Sequence, residues 1–171
     1  MLSGVGIVGA TTVGSIAYTN ATVSRDITVD VDGDTSGIVG LNPQGVDGVT
    51  TTNGKLAIET PSSNALNRDA TFEYGDTGTP SNTPAFNIVN NDDTGYKLDV
   101  SATTTSTNGA LKLYLEDPNG STHTVDGGTQ SFDSSVWSSG AIINAAVELD
   151  TTDLTSTDTL EATMEFIASS P

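Results

Sequence analysis

The run "ALKLYLED" (110–117) alternates Leu111, Leu113 and Leu115 with Lys112, Tyr114 and Glu116. On an extended strand successive side chains point to opposite faces, so this spacing gives one dry face and one wet one; on a helix the same leucines would scatter around the cylinder. The pattern recurs along most of the chain. "RDITVDV" sets Ile27, Val29 and Val31 against Asp26, Thr28 and Asp30, and "KLAIET" sets Leu56 and Ile58 against polar neighbours. "GIVGL" (37–41) is a short apolar run, "ATFEYG" offers Phe72 and Tyr74, "PAFNIVN" offers Phe86 and Ile88, and "YKLDVSA" offers Tyr96, Leu98 and Val100. "STHTVD" follows the turn signal "DPNG" (117–120) as a weaker strand. "AIINAAVELD" then carries Ile143, Ala145, Val147 and Leu149 on one face, and "TLEATMEFIA" carries Leu160, Ala162, Met164 and Phe166.

Gly, Asn, Asp and Pro clusters separate these runs, and helical spacing is confined to one turn at "SSNALNR" (62–68). Residues 23–171 are therefore predicted to form a single all-β domain of about nine or ten strands, arranged as two packed antiparallel sheets.

A core of this kind suits a chain of 171 residues with 35% hydrophobic residues and a mean hydropathy of −0.15. Five Lys and Arg against 22 Asp and Glu leave a net charge of −17. Nucleic acid is excluded as a partner, because phosphate binding needs a basic footprint. Such a charge repels itself in dilute buffer, whereas molar salt screens it over about 3 Å. Asp outnumbers Glu, Lys is scarce and Thr and Ser are abundant, a balance that points to a halophilic organism, an archaeon; an ordinary acidic secreted protein is the alternative. With no cysteine, disulfides, Cys-X-X-Cys metal sites and thiol nucleophiles are out of reach.

Chemistry is sparse. His123 is the one histidine, so a zinc motif with two histidines a helical turn apart lacks its parts. In its polar run it is expected to be a solvated strand residue. Asp30, Asp32 and Asp34 in "DVDGD" are similar to part of a calcium loop, but Leu41 stands where an EF-hand needs its closing glutamate. A structural Ca2+ there is set against plain solvated turn carboxylates, as it is for the second acidic turn at Asp92 and Asp93; no other cofactor is expected. Carboxylates are too numerous for sequence proximity to nominate a glycosidase pair. Aromatics make up 5% of the chain, few for a sugar-stacking groove, and Trp137 is expected in the core or at its rim. Asn20-Ala-Thr22 and Asn119-Gly-Ser121 are N-glycosylation sequons, the second inside the predicted turn.

The first 24 residues carry no charge. As a membrane-spanning helix they would have to tolerate Gly4, Gly6, Gly9 and Gly14, each costing up to about 1 kcal/mol relative to alanine, so no stable span is expected. As a secretory signal they have an apolar stretch but no basic start, since Arg25 is the first cation. As a strand they can satisfy their backbone at a sheet edge while burying Leu2, Val5, Ile7, Val8, Val13 and Ile16. On a neighbouring molecule's edge, repetition of that contact builds a fibre.

"SIAYTNATVSRDITVDVDGDTSGIVGLNP" and the closing "DTLEATMEFIA" resemble the mature start and the last strand of secreted proteins of the TasA and camelysin family, haloarchaeal members included. The resemblance implies a jelly-roll-like antiparallel β-sandwich with an extended N-terminal donor strand, as in the bacterial biofilm fibre proteins and archaeal bundling pili similar to it. The donor would fall within residues 2–17, in the segment 1–22 ahead of the domain, with 18–23 as its connection. Removal of the apolar stretch as a signal would leave a donor beginning near Thr19. The metalloprotease label attached to camelysin-like proteins does not carry over to a chain with a single histidine and no cysteine.

The expected function is that of a non-enzymatic subunit of an extracellular, cell-surface filament, its partners identical subunits joined head to tail. A monomeric secreted module binding a cation or a glycan is the alternative, and a hydrolase using two carboxylates a further one.

Overall fold

The computed structural model describes residues 27–32, 37–52, 55–59, 70–106, 109–152 and 160–170, which form twelve strands. One sheet contains β1 (Ile27–Asp32), β12 (Leu160–Ser169), β7 (Lys97–Thr104) and β10 (Thr129–Phe132), in that order. The second contains β2 (Val39–Pro43), β6 (Phe86–Asn90), β11 (Ile142–Asp150), β8 (Ala110–Glu116) and β9 (Thr122–Asp126), and β5 (Thr71–Tyr74) continues the line of β6 along β11. β3 (Val49–Thr52) and β4 (Lys55–Ile58) form a separate hairpin. The prediction of an all-β sandwich holds. The count exceeds the expected nine or ten because β3 and β10 add short strands to the runs read from the sequence.

The two sheets face each other across a continuous apolar core. Leu98, Val100 and Ala102 of β7 and Leu160, Ala162, Met164 and Phe166 of β12 meet Leu111, Leu113 and Leu115 of β8 and Ile143, Ala145, Val147 and Leu149 of β11, all of them buried. Phe86 and Phe166 stack edge to face across the layers at 6.1 Å. Each fully buried Leu, Ile or Phe contributes about 1.5–3 kcal/mol of transfer free energy, against a backbone ordering cost of about 1–2 kcal/mol per residue. The alternation read at 110–117 is therefore the inward face of a central strand.

One pairing departs from the antiparallel expectation. β1 runs parallel to β12, from Ile27 beside Leu160 to Asp32 beside Glu165. Periodicity assigns faces but not strand direction, so nothing in "RDITVDV" could distinguish the two.

The outer face of the second sheet carries a lid of its own. The segment 75–85 folds back over β11 and β8: Ala85 N donates to Ala145 O at 2.7 Å, Ser81 N donates to Glu116 Oε2 at 3.0 Å, and Asp76 Oδ1 accepts from the backbone of Gly78 and Thr79. Ala146 points outward, yet it is buried, and a Cβ on Gly75 would lie 3.2 Å from its methyl.

Candidate functional site

The two lateral sides of the sandwich are built differently. On one side the chain passes from β9 in the second sheet to β10 in the first through Gly127 and Gly128, with φ +67° at Gly127, and joins the layers at a corner. Val125 and Phe132 are buried along it.

On the other side β1 and β2 end their sheets and the β3–β4 hairpin fills the gap, burying Val49, Leu56 and Ile58 beside Val39. The hairpin is pinned at its base. Glu59 N donates to Gly48 O at 2.7 Å, and Tyr74 Oη donates to Glu59 O at 3.3 Å. Burial, reinforced by the Asp47 carboxylate, pushes the Tyr74 hydroxyl above its ordinary pKa, which keeps it a donor. Gly48 has φ +83°, and a Cβ there would lie 2.6 Å from Glu59 O and 2.8 Å from Tyr74 Cε1.

The described part of β1 ends at Asp32 beside Glu165, whereas β12 continues to Ser169 and pairs on its other side with β7 down to Lys97. Beyond Glu165 no described strand pairs with β12 on the β1 side. Phe166 in this stretch is buried and Ile167, on the outer face, is 47% exposed. This stretch of β12, without a partner on that side among the described residues, is the candidate assembly site.

Its end of the sandwich is held by a buried amide. Asn90 continues the inward alternation of Phe86 and Ile88 and is 1% exposed. Its Nδ2 lies within 2.9 to 3.2 Å of three carbonyls, those of Thr94, Trp137 and Ser138, and its Oδ1 accepts from Asp92 N at 3.0 Å. Two donor hydrogens and one acceptor thus tie together the turns 91–96 and 133–140. Trp137 lies wholly inside, as expected for a core residue. Asp92 and Asp93 sit in the tied turn. Tyr96 Oη donates to Asp92 Oδ2 at 3.0 Å, and this bond, with the Asp93 backbone N–H, holds the Asp92 carboxyl below its ordinary pKa. An open depression lined by Gly37, Ile38, Asn91, Asp92 and Asp93 lies beside it.

His123 corrects an expectation. It lies on β9 opposite Leu115, its ring packs edge-on against Phe132 at 5.2 Å, and its side chain is 27% exposed. The alternation of β9 turns it inward with Val125, so it is half-buried, not solvated. Its Nε2 lies 3.5 Å from Asp117 Oδ2, beyond a normal hydrogen bond. Asp117 organises the following turn: Oδ1 accepts from Asn119 N at 2.8 Å and Ser121 N at 2.9 Å. Burial pushes its carboxyl up, but these two N–H groups and the neighbouring His123 outweigh it and leave the pKa below the ordinary aspartate value.

Lys112 bridges to Glu148 at 2.9 Å on the outer face of β8 and β11, where Tyr114 donates to the same carboxylate. Pairs of this kind near the surface contribute about 1 kcal/mol.

The donor residues Leu2, Val5, Ile7, Val8, Val13 and Ile16, the sequon at Asn20, and Asp34 lie outside the described residues. Asp30 and Asp32 are placed by backbone register only, beside Thr163 and Glu165. Among the described residues no group of three or more His, Cys, Asp or Glu gathers to hold a metal, and no helix is long and apolar enough to cross a membrane.

Fold and edge together define the class: an acidic all-β sandwich whose first strand lies parallel to β12, and among the described residues β12 runs on past it. Comparison with protein-family models, with curated proteins and with solved structures finds no match to this chain.

Proposed function

We propose that this chain is a structural subunit of an extracellular filament, a jelly-roll-like sandwich whose apolar segment 1–22 completes a sheet of the next subunit. The observation that supports this is the edge strand itself: β1 follows the charge-free segment and lies parallel to β12, and among the described residues its pairing ends at Asp32 beside Glu165 while β12 runs on to Ser169. An edge of this kind takes an extended backbone through main-chain hydrogen bonds and side-chain burial. Donation to a neighbour's edge is head to tail and does not close, so it propagates as a filament.

Side-chain burial and main-chain pairing both work against the cost of ordering the segment. Val5, Ile7, Val8, Val13 and Ile16 would each contribute about 1.5–3 kcal/mol on burial, offsetting an ordering cost of about 1–2 kcal/mol per residue together with the ladder of hydrogen bonds. The acidic surface, at −17, acts as a solvating coat, and in molar salt its repulsion is screened within about 3 Å.

Val5→Asp and Ile7→Asp test the assignment. Each is expected to abolish polymerisation in molar salt, seen by light scattering, while the thermal unfolding of the sandwich stays unchanged. Fibres of normal yield from both variants would refute the donor.

A further inference from the structure

We propose that Asn119 is an N-glycan acceptor, modified by transfer of an oligosaccharide from a lipid-phosphate-linked donor. The inference stands whether or not the chain polymerises: it rests on the β8–β9 turn and, from the proposed function, on export of the chain.

That turn presents the sequon Asn119-Gly120-Ser121 outward. Asn119, Gly120 and Ser121 are all exposed, while the Asp117 beside them is buried. Every short bond that shapes the turn uses backbone. The Asp117 carboxylate takes the N–H of Asn119 and Ser121, Asp117 O accepts from Gly120 N at 2.9 Å, and Asp117 N donates to Ser121 O at 3.0 Å. The Asn119 carboxamide and the Ser121 hydroxyl, the two groups the acceptor motif requires, have no hydrogen-bond partner among the described residues. Gly120, between them, has φ +81° and open space where a Cβ would stand, so no side chain shields the amide.

In the transfer, Asn119 Nδ2 attacks the anomeric carbon of the donor sugar. The N–C bond forms and the C–O bond to the lipid phosphate breaks. The lipid phosphate leaves with the electron pair, and the amide gives up one proton to a base of the transferase.

The product is compatible with the fold. Asn119 lies beyond the end of β8, at the β9 side of the second sheet, with β11 and β6 between β8 and β2. A bulky, hydrated glycan there displaces no core side chain and leaves the opposite edge, β1 and β12, clear. It also stands at the start of β9, an edge strand whose outer side could otherwise pair with a foreign strand.

The test is peptide mass spectrometry of the full chain isolated from its own cells, beside Asn119→Gln, Ser121→Ala and Ser121→Thr variants made in the same cells. Saccharide mass on the peptide containing Asn119 is expected in the native chain and in Ser121→Thr, which keeps the sequon. It is expected to vanish in Asn119→Gln and Ser121→Ala, with the thermal unfolding of all three variants showing a folded sandwich. An unmodified Asn119 in the native chain, or an adduct on this peptide that survives Asn119→Gln, would overturn the assignment.

Discussion

Asn90→Ala is expected to be among the most damaging single changes outside the leucine and isoleucine core. The residue is 1% exposed, and its amide reaches the carbonyls of Thr94, Trp137 and Ser138 while its Oδ1 takes Asp92 N. Truncation leaves four backbone groups short of this partner. Trp137 O, the acceptor of the one fully buried bond, keeps a second donor, Tyr96 N at 3.3 Å, and the bonds to Thr94 O, Ser138 O and Asp92 N are half-buried, so the penalty amounts to that of about two buried groups. At about 1–3 kcal/mol for each buried group left unsatisfied, with a small cavity term added, the loss is roughly 3–5 kcal/mol. For a domain of this size that corresponds to a fall in Tm of about 6–20 °C. Urea unfolding in molar salt, followed by Trp137 fluorescence, measures it, with the m-value expected to stay constant. Asn90→Asp, which turns a carboxylate toward three carbonyls, should be worse. A loss under about 1 kcal/mol in Asn90→Ala would refute the idea that this amide ties the two turns together.

Two further outcomes follow from the geometry. Gly48→Ala should cost about 2–4 kcal/mol, from a left-handed φ and a Cβ driven to 2.6 Å from Glu59 O, whereas Gly45→Ala, with open space at φ +79°, should cost only about 1–2 kcal/mol; equal losses in paired thermal melts would contradict the clash. Asp117→Ala should lower stability by about 2–4 kcal/mol at neutral pH. Because the folded-state pKa of Asp117 is depressed, its contribution is present above the ordinary aspartate value and is lost as pH falls through the lowered one. The gap between native and variant chains should therefore close below about pH 4, and a gap that persists undiminished at pH 2 would argue against an ionic origin.

The central strands were legible because their leucines and isoleucines alternate without interruption: β8, β11 and β12 lie where Leu111, Ile143 and Met164 put them. Short strands were harder to read. Val49 is the one buried residue in "VTTT", so β3 has no period to detect, and its burial comes from β4 and β2 rather than from its own composition. Asn90 was missed although the signal was present, since it takes the third inward position after Phe86 and Ile88; an inward polar residue marks a network, but sequence does not say which distant carbonyls complete it. His123 was misjudged for the reverse reason. Its neighbours in sequence are polar, and the ring it packs against belongs to Phe132 on another strand. The direction of β1 and its pairing of Ile27 to Asp32 with Leu160 to Glu165 are properties of register, which alternation cannot supply.

The account stands or falls on what residues 1–22 do. Electron microscopy in molar salt, comparing the full chain with one shortened to begin at Val23, tests it most directly. Regular fibres from the full chain and dispersed monomers from the shortened one are the predicted result. Fibres from the shortened chain, or monomers from both, would contradict assembly by an N-terminal donor strand.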